Sequence, residues 1–597
     1  MEIEDSPAPA PSSRERISTG LALILVFSAA LAPRAWLFLE ARNTPLTPLM
    51  MDGKTDMALY HQWAKQIADG DWLSRNPPRP FLYWNEKIAR DYFTIKPSEL
   101  ARLGAESEKS GLQPERLLWN EWWGGSARLH WEPLYPYMVG AVYAVWGADP
   151  ANVYILQIIL GAAACALIFF ASERIFGRRA AVFAAALAIL DGSLTWGDIH
   201  LLRTTLTIFL AMLVLAASVM ALEKPAPWRW AAAGAAFGLG TMAQSYFLAA
   251  GALFLAVWFW REGKLTGETA LIAASFLLGL SLIFIPLVAR NIIVGAPALA
   301  MMTNRQFFFI MANAPDMEPF FPYNLVSPWV GRIMAQTGGE TIPVILATIR
   351  AHGSFINYVG FLLLKAAALF TPHPGNDNGL EYPYFYLHSM ALKASPVHFE
   401  LIAPLALAGA VIAGRSWKQA PIYVLAAIFA MPLVVFITMA RYRAPLEAAL
   451  IPLAGAALSR LIPPLAQRKA PAILAAGALT LLAFFPIIPV PTAYAYQFPG
   501  SLFYQAPIRK ALEEKRYGDA ARIYDDMFNY EKEYGIGKGA IPPERAQTAR
   551  WFAGLLLDQA RAFKLAGNPA KEMECRAHAA AIMKELAGLR GTRRSPW

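Results

Sequence analysis

The chain has 597 residues, of which 56% are hydrophobic and only 16% charged, with positive mean hydropathy. This balance excludes a soluble globular protein and predicts an all-α polytopic membrane protein. The net charge of +10 is explained by basic loop clusters and a mixed-charge tail. No recognition module accompanies it, so nucleic acid is not expected as a partner.

In chain order, residues 1–16 form a short N-terminus with Arg14 and Arg16 before the first apolar run, Ile17 to Glu40. Ala30-Leu31-Ala32 has the look of a signal-peptide cleavage site, but apolar character continues to Leu39 and Pro33 would directly follow the cut, so a retained span is expected. Further runs at Asn152–Glu173, Ala180–Trp196, Thr204–Leu222, Trp228–Ala243, Phe247–Trp260 and Thr269–Ala289 precede a large loop over 290–398. Phe399–Gly414, Ala420–Ala440, Pro445–Leu461 and Ala470–Pro489 follow. The expectation is about eleven spans crossing roughly 30 Å of hydrocarbon, with Ser354–Phe370 re-entrant or interfacial and Pro136–Trp146 lying along the surface. Residues 17–489 then form the membrane domain and 490–597 a separate helical domain.

Loop charge sets the orientation, because cytoplasmic loops are enriched in Lys and Arg. Arg174, Arg178 and Arg179, Lys224 and Arg229, Arg261 and Lys264, Arg415 and Lys418, and Arg460, Arg468 and Lys469 all fall on the side of the N-terminus. The loops 41–151 and 290–398 and the tail are therefore expected outside the cytoplasm. Cys165 and Cys575, the two cysteines, are too differently placed to form a disulfide.

The first large loop is the richest in chemistry. Asp52, Asp56 and Tyr60 stand at i, i+4 and i+8, with Trp63 three further on, so a helix over Lys54–Asp69 presents them on one face. A carboxylate fixed there is placed to act as a general base on an acceptor hydroxyl or amine; an interfacial helix with its acids in water is the plain alternative. The Trp-rich stretch 73–130 reads as an interfacial belt. Glu132 leads directly into the apolar sequence Pro133-Leu134-Tyr135-Pro136 and so needs a partner or a pocket.

Other polar groups gather at the same end of the spans: Asp198, His200 and Arg203 between the third and fourth, Gln244 and Ser245 between the fifth and sixth, Arg290 and Asn291 at the end of the seventh, and Arg441, Tyr442 and Arg443 at the end of the ninth. Arginines converging on one membrane face suit phosphate recognition, since the guanidinium binds phosphate oxygens bidentately, although each alone reads equally as a snorkelling helix terminus.

Several of these segments together resemble the GT-C type polyprenyl-phosphate-dependent glycosyltransferases, the group of protein O-mannosyltransferases and lipid A aminoarabinose transferases, in its bacterial members. The residues that carry the likeness are Asp56-x-x-x-Tyr60 with Trp63-Ala64 and Ala68-Asp69-Gly70-Asp71-Trp72, Pro133-Leu134-Tyr135-Pro136-Tyr137, and Phe176-Gly177-Arg178-Arg179. Arg290-Asn291 with Gly295, Asn304 and Asn313, then Asn376-Asp377-Asn378 and Ala440-Arg441-Tyr442-Arg443-x-Pro445 extend it downstream.

The resemblance implies a GT-C-like fold in a bacterial inner membrane, a catalytic aspartate at Asp56 with Asp52 as the alternative, and a polyprenyl-phosphate sugar donor held by Arg290, Arg441 and Arg443. It implies a lipid, glycan or protein acceptor, with Tyr60, Glu132, Tyr135, Asp198, Arg203 and Asn291 as further substrate-binding candidates. Two positions depart from it: Arg203 stands where mannosyltransferase-like members carry an acid at the start of the fourth span, and Gln244-Ser245 where many bacterial relatives carry an arginine. No metal-ligand cluster is apparent, and a role for a divalent cation stays open.

In the tail, two helical hairpins with Gly-containing breaks are expected, without a regular repeat period. The functional expectation is an inverting membrane glycosyltransferase. A transporter or flippase of lipid-linked glycans would show internal repeats and midplane charges, and a non-catalytic scaffold would tolerate loss of Asp56.

Overall fold

The computed structural model describes residues 18–42, 55–317 apart from 80, 82, 126 and 304, then 327–370, 389–462 apart from 415, and, in the tail, 508, 511–512, 514–533 and 546–590. It is all-helical there. An isolated parallel bridge between Asp191 and Val397 is the one extended pairing among the described residues. The expected span Ala470–Pro489, together with Asp52, Asn304 and Asn376-Asp377-Asn378, lies outside them.

The chain begins with α1 (Thr19–Ala41), started by the Ser18 hydroxyl accepting from the Leu21 N–H. The first large loop folds into α2 (Asp56–Ala68), α3 (Tyr83–Ile95), α4 (Pro97–Ser110), α5 (Pro114–Trp122) and α6 (Leu134–Trp146). Next come α7 (Pro150–Phe176), α8 (Arg178–Ile189), α9 (Gly192–Gly197), α10 (Thr204–Glu223), α11 (Pro227–Ala243), α12 (Phe247–Glu262) and α13 (Gly267–Ile293). The second large loop supplies α14 (Arg305–Asn313), α15 (Pro328–Thr337), α16 (Thr341–Ala351), α17 (Phe355–Ala368) and α18 (Met390–Lys393). Then α19 (Phe399–Ile412), α20 (Ala420–Val435) and α21 (Ala440–Leu461) follow.

Among the described residues, six helical segments are long and apolar enough to cross a membrane: α1, α7, α10, α13, α20 with the short turn before it, and α21. The protein is a multi-pass integral membrane protein. Four other expected spans coincide with shorter helices. At 1.5 Å per residue, α11, α12 and α19 reach about 21–26 Å. The expected third span is corrected: it breaks at Leu190-Asp191 into α8 and α9. Asp191 ends the run by capping α9, its Oδ1 accepting from the Leu194 N–H at 3.0 Å, and the backbone groups freed at the break bond to Val397.

A second correction concerns residues 441–443, which open α21 instead of closing the preceding span. α20 stops at Val435, and Met439 in extended conformation is the N-cap of α21. Within Ser354–Phe370, residues Phe355–Ala368 form the apolar helix α17, capped by Ser354.

Several helix pairs meet backbone to backbone, α11 with α13 and α19 with α21 among them. A Cβ on Gly234 of α11 would lie 1.9 Å from the Phe276 carbonyl oxygen of α13, and one on Gly409 of α19 would lie 2.0 Å from that of Leu453 on α21. Small residues permit this approach where lipid gives no hydrophobic drive for helix association. A second apolar core, including Leu37, Tyr60, Trp63, Tyr135 and Leu206, seats α2 and α6 on the bundle, and a third, including Trp119, Phe307, Val330 and Val344, joins the two large loops.

In the tail, α22 (Tyr517–Glu533) packs on α23 (Ala546–Leu565), which forms a hairpin with α24 (Pro569–Arg590). Gly567 makes the turn at φ 75°. The described residues therefore contain one hairpin with a third helix against it, and residues 534–545 lie outside them. Both cysteines are free and buried.

Gly409→Ala is expected to lower the detergent-solubilised melting temperature by the equivalent of about 1–3 kcal/mol. Gly104→Ala in α4, where a Cβ meets nothing within 4 Å, is expected to raise stability by roughly 0.5–1 kcal/mol; thermal unfolding of the two variants beside the parent checks both.

Candidate active site

The site grows from the first residue of α2. Thr55 caps this helix, its hydroxyl accepting from the Ala58 N–H at 3.1 Å, which fixes Asp56 at the helix N-terminus. There the Asp56 Oδ2 accepts from the Arg441 Nη2 at 2.7 Å, with the two side chains 30% and 16% exposed. An arginine at the N-terminus of α21 opposes the helix dipole, so this carboxylate also offsets an unfavourable position. Arg441 Nη2 is 3.1 Å from the Tyr442 hydroxyl, and its guanidinium lies over the Tyr442 ring.

Successive residues on a helix are about 100° apart. Arg441 and Arg443 therefore point in nearly opposite directions. Arg443 is buried, donates to the Leu369 carbonyl at 3.0 Å and stands over the Phe399 ring at 4.2 Å, with Glu400 4.0 Å away. Of the two, only Arg441 reaches Asp56.

Glu132 and Arg203 form a second pair beside the first. Glu132 is buried; one oxygen accepts from Arg203 Nη1 and the other from the Ser245 N–H at 2.8 Å. Burial pushes this carboxyl up, but the Arg203 guanidinium and the Ser245 N–H outweigh it and hold the group below the usual carboxylate range. Tyr60, one turn after Asp56, is buried with its ring 4.6 Å from Trp131 and 4.8 Å from Tyr135. Burial pushes its hydroxyl well above the ordinary phenol range. Arg203, Thr207, Gln244, Tyr246, Arg441 and Tyr442 line one narrow cleft.

The structure thus brings together Asp56, Tyr60, Glu132, Arg203 and Arg441. Tyr135 adjoins them but serves as a strut, donating to Gln157 Oε1 at 2.8 Å, while Gln157 donates to the Asp198 and His200 carbonyls. Asp198 lies in a different buried pair, 2.8 Å from Arg34 Nε, with the Thr205 hydroxyl donating to it at 2.7 Å. Arg290 is engaged by the chain itself: it donates to the carbonyls of Leu73, Ser74 and Ala127 and to Asn291 Oδ1. Asn291 in turn donates to Ala298 and Ala300.

Tyr246 is a cleft residue that was not among the sequence candidates, although it adjoins Gln244 and Ser245, and Tyr442 was noted only as one of the polar groups beside Arg441. Arg34 was missed as well, although an arginine beside Pro33 within the first span is the kind of intramembrane charge that demands a partner. Among the described residues no group of three or more His, Cys, Asp or Glu side chains is arranged to hold a metal ion.

Residues 131–294 match the family described as dolichyl-phosphate-mannose-protein mannosyltransferase. No curated protein sequence matches the chain. Among solved structures, the chain is similar to ArnT from Cupriavidus metallidurans bound to undecaprenyl phosphate, with 15% identity and a TM-score of 0.33 over 89% of this chain and 77% of that one. It is also similar to the oligosaccharyltransferase AglB from Archaeoglobus fulgidus in complex with an inhibitory peptide and a dolichol-phosphate, with 16% identity and a TM-score of 0.38 over 82% of this chain and 56% of that one. The same organism's oligosaccharyltransferase tethered with an acceptor peptide gives 14% identity and a TM-score of 0.40 over 85% and 59%. The chain spans little more than half the length of these archaeal proteins. The matched segment opens next to Glu132, contains Arg203 and closes just past Arg290 and Asn291.

Proposed function

We propose that the protein is a membrane glycosyltransferase that moves a sugar from a polyprenyl-phosphate donor to an acceptor on the extracytoplasmic face, with Asp56 as the general base. The observation that carries this reading is the Asp56–Arg441 pair at 2.7 Å, beside a cleft that Arg441 lines together with Arg203. The match of residues 131–294 to the mannosyltransferase family supports the donor class, and the basic clusters in the opposite loops support the orientation.

In the reaction, the acceptor O–H or N–H gives its proton to the Asp56 carboxylate while the acceptor atom bonds to the anomeric carbon. The bond from that carbon to the phosphate oxygen breaks, and its electron pair stays on the phosphate. Direct attack on the face opposite the leaving group inverts the anomeric centre. A fixed guanidinium where the new phosphate charge appears is the main electrostatic contribution a protein can make to such a step, and Arg441, with five N–H donors, occupies that position. Arg203, anchored by Glu132, is the second cation of the phosphate side. Asp52 stands as the alternative base. The finer picture of about eleven spans, with the tail on the acceptor side, is part of the same reading.

Asp56→Asn is expected to abolish sugar transfer in membranes supplied with radiolabelled polyprenyl-phosphate sugars, and Arg441→Lys to reduce kcat by about 10- to 1,000-fold. Transfer that survives Asp56→Asn but is lost in Asp52→Asn would move the base, and survival in both variants would refute the mechanism. The Glu132–Arg203 pair predicts a pH effect. Its carboxyl is held below the unfolded value of about 4.3, so its stabilisation is fully present above that pH and disappears as pH falls through the lower folded value. Glu132→Gln, which leaves Arg203 unpaired, is expected to destabilise the neutral-pH protein by about 3–5 kcal/mol. The gap to the parent should narrow below about pH 4, as thermal unfolding across pH would show.

A further inference from the structure

A cavity of about 370 Å³ opens between the two large loops, apart from the Asp56 cleft, and includes Glu121, Trp122, Arg128, Thr303, Gln306 and Phe307 in its wall. This is within the range of small-molecule sites, roughly 300–1,000 Å³. The apolar part is aromatic: Trp122 is half-buried, with Phe307 buried behind at a ring separation of 6.2 Å.

The polar part is held in place before any ligand arrives. Glu121 accepts two bonds from Arg102, at 2.9 and 2.8 Å. The Gln306 amide donates to the Thr341 hydroxyl at 2.8 Å, and Thr303 donates to the Leu129 carbonyl at 3.4 Å.

Arg128 differs from the other wall residues. It lies over Gly124, where a Cβ would come within 2.4 Å of its Cδ, so a bare α-carbon is what makes room for the side chain. Its guanidinium meets no carboxylate among the described residues. An aromatic wall with a carboxylate, an amide and a hydroxyl around it suits a pyranose ring, whose C–H face rests on the π-system while its hydroxyls bond to the rim. A cation beside that wall suits an anionic substituent, which a guanidinium holds bidentately.

The cavity is also close to the cleft. Arg128 is four residues before Glu132, so their backbones are at most about 14 Å apart, and Trp131 between them packs on Tyr60. We propose that this cavity is the acceptor subsite and takes an acidic sugar, a pyranose bearing a carboxylate or a phosphate. Its role as acceptor rests on the transferase reading; its binding chemistry does not.

The test is titration calorimetry on the full-length protein in nanodiscs with glucuronic acid, glucose 6-phosphate, glucose and inorganic phosphate. The proteins are the parent, Arg128→Ala, Arg128→Lys and Asp56→Asn, each checked for an unchanged melting temperature. At least one acidic sugar is expected to bind roughly 10- to 100-fold more tightly than glucose, in line with hydrogen bonds to a charged group. Arg128→Ala should remove that advantage, Arg128→Lys restore part of it, and Asp56→Asn leave it intact. Failure of both acidic sugars to bind, phosphate binding as tightly as glucose 6-phosphate, or indifference to Arg128→Ala would overturn the proposal. Arg128-dependent sugar binding in a protein that turns over no donor would retain the sugar site and refute the transferase reading instead.

Discussion

The contact between Asp56 and Arg441 is the constraint on which the arrangement of the site depends. It joins residues 385 positions apart in sequence, the first turn of a loop helix and the first turn of a long helix near the end of the bundle. Its worth is positional. Partly exposed ion pairs contribute about 0–1 kcal/mol, and this one is open enough that no larger figure applies. What it requires is that α21 begin at Ala440 in the right phase, that Thr55 start α2 one residue before the acid, and that α6 press α2 onto the bundle. Moving either helix start by one residue would rotate the side chain by about 100° and separate the pair.

The arginines of the membrane face are separated by what occupies their donors. Arg290 bonds to three carbonyls and an amide oxygen, which makes it a clamp between the end of α13 and the first loop. Arg34 holds Asp198 inside the bundle, and Arg443 bridges toward Leu369 and Glu400. Arg203 and Arg441 also hold carboxylates, but both line the cleft. A guanidinium enclosed by backbone carbonyls must break several bonds to receive a phosphate, whereas one that already borders a cleft needs only to share.

These distinctions mark the limit of what could be read from the chain alone. Helices recur where apolar runs recur, from α1 to α21, because burial in lipid depends on local composition. The helix carrying Asp56 and Tyr60 was legible through the spacing of its acidic and aromatic residues. The break at Asp191 was not, because an acid that caps a new helix looks like a charge at a span end until the bonds of the neighbouring Leu190 carbonyl and Gly192 N–H to Val397 are known. Likewise, Arg290 and Arg441 appear equivalent as basic residues at helix termini. Only long-range packing reveals that one meets carbonyls and the other Asp56. Tyr135 is a similar case, since its motif is legible but its hydroxyl is directed to Gln157.

The departure at Arg203 becomes intelligible through charge. Where the family resemblance leads one to expect an acid, this chain has a cation, and Glu132 lies against it. The cleft and its immediate partners therefore contain two carboxylates and two guanidinium groups, and are close to neutral before a donor enters. In the proposed reaction Asp56 gains a proton as the departing phosphate gains a negative charge, so the total charge of the site stays constant while its distribution changes. Protonation removes the negative charge that held Arg441, and the developing phosphate offers that guanidinium a stronger partner. Glu132, buried and held ionised by Arg203 and the Ser245 N–H, does not take part in this exchange. By fixing the second cation, it allows the first to follow the charge from the base to the leaving group.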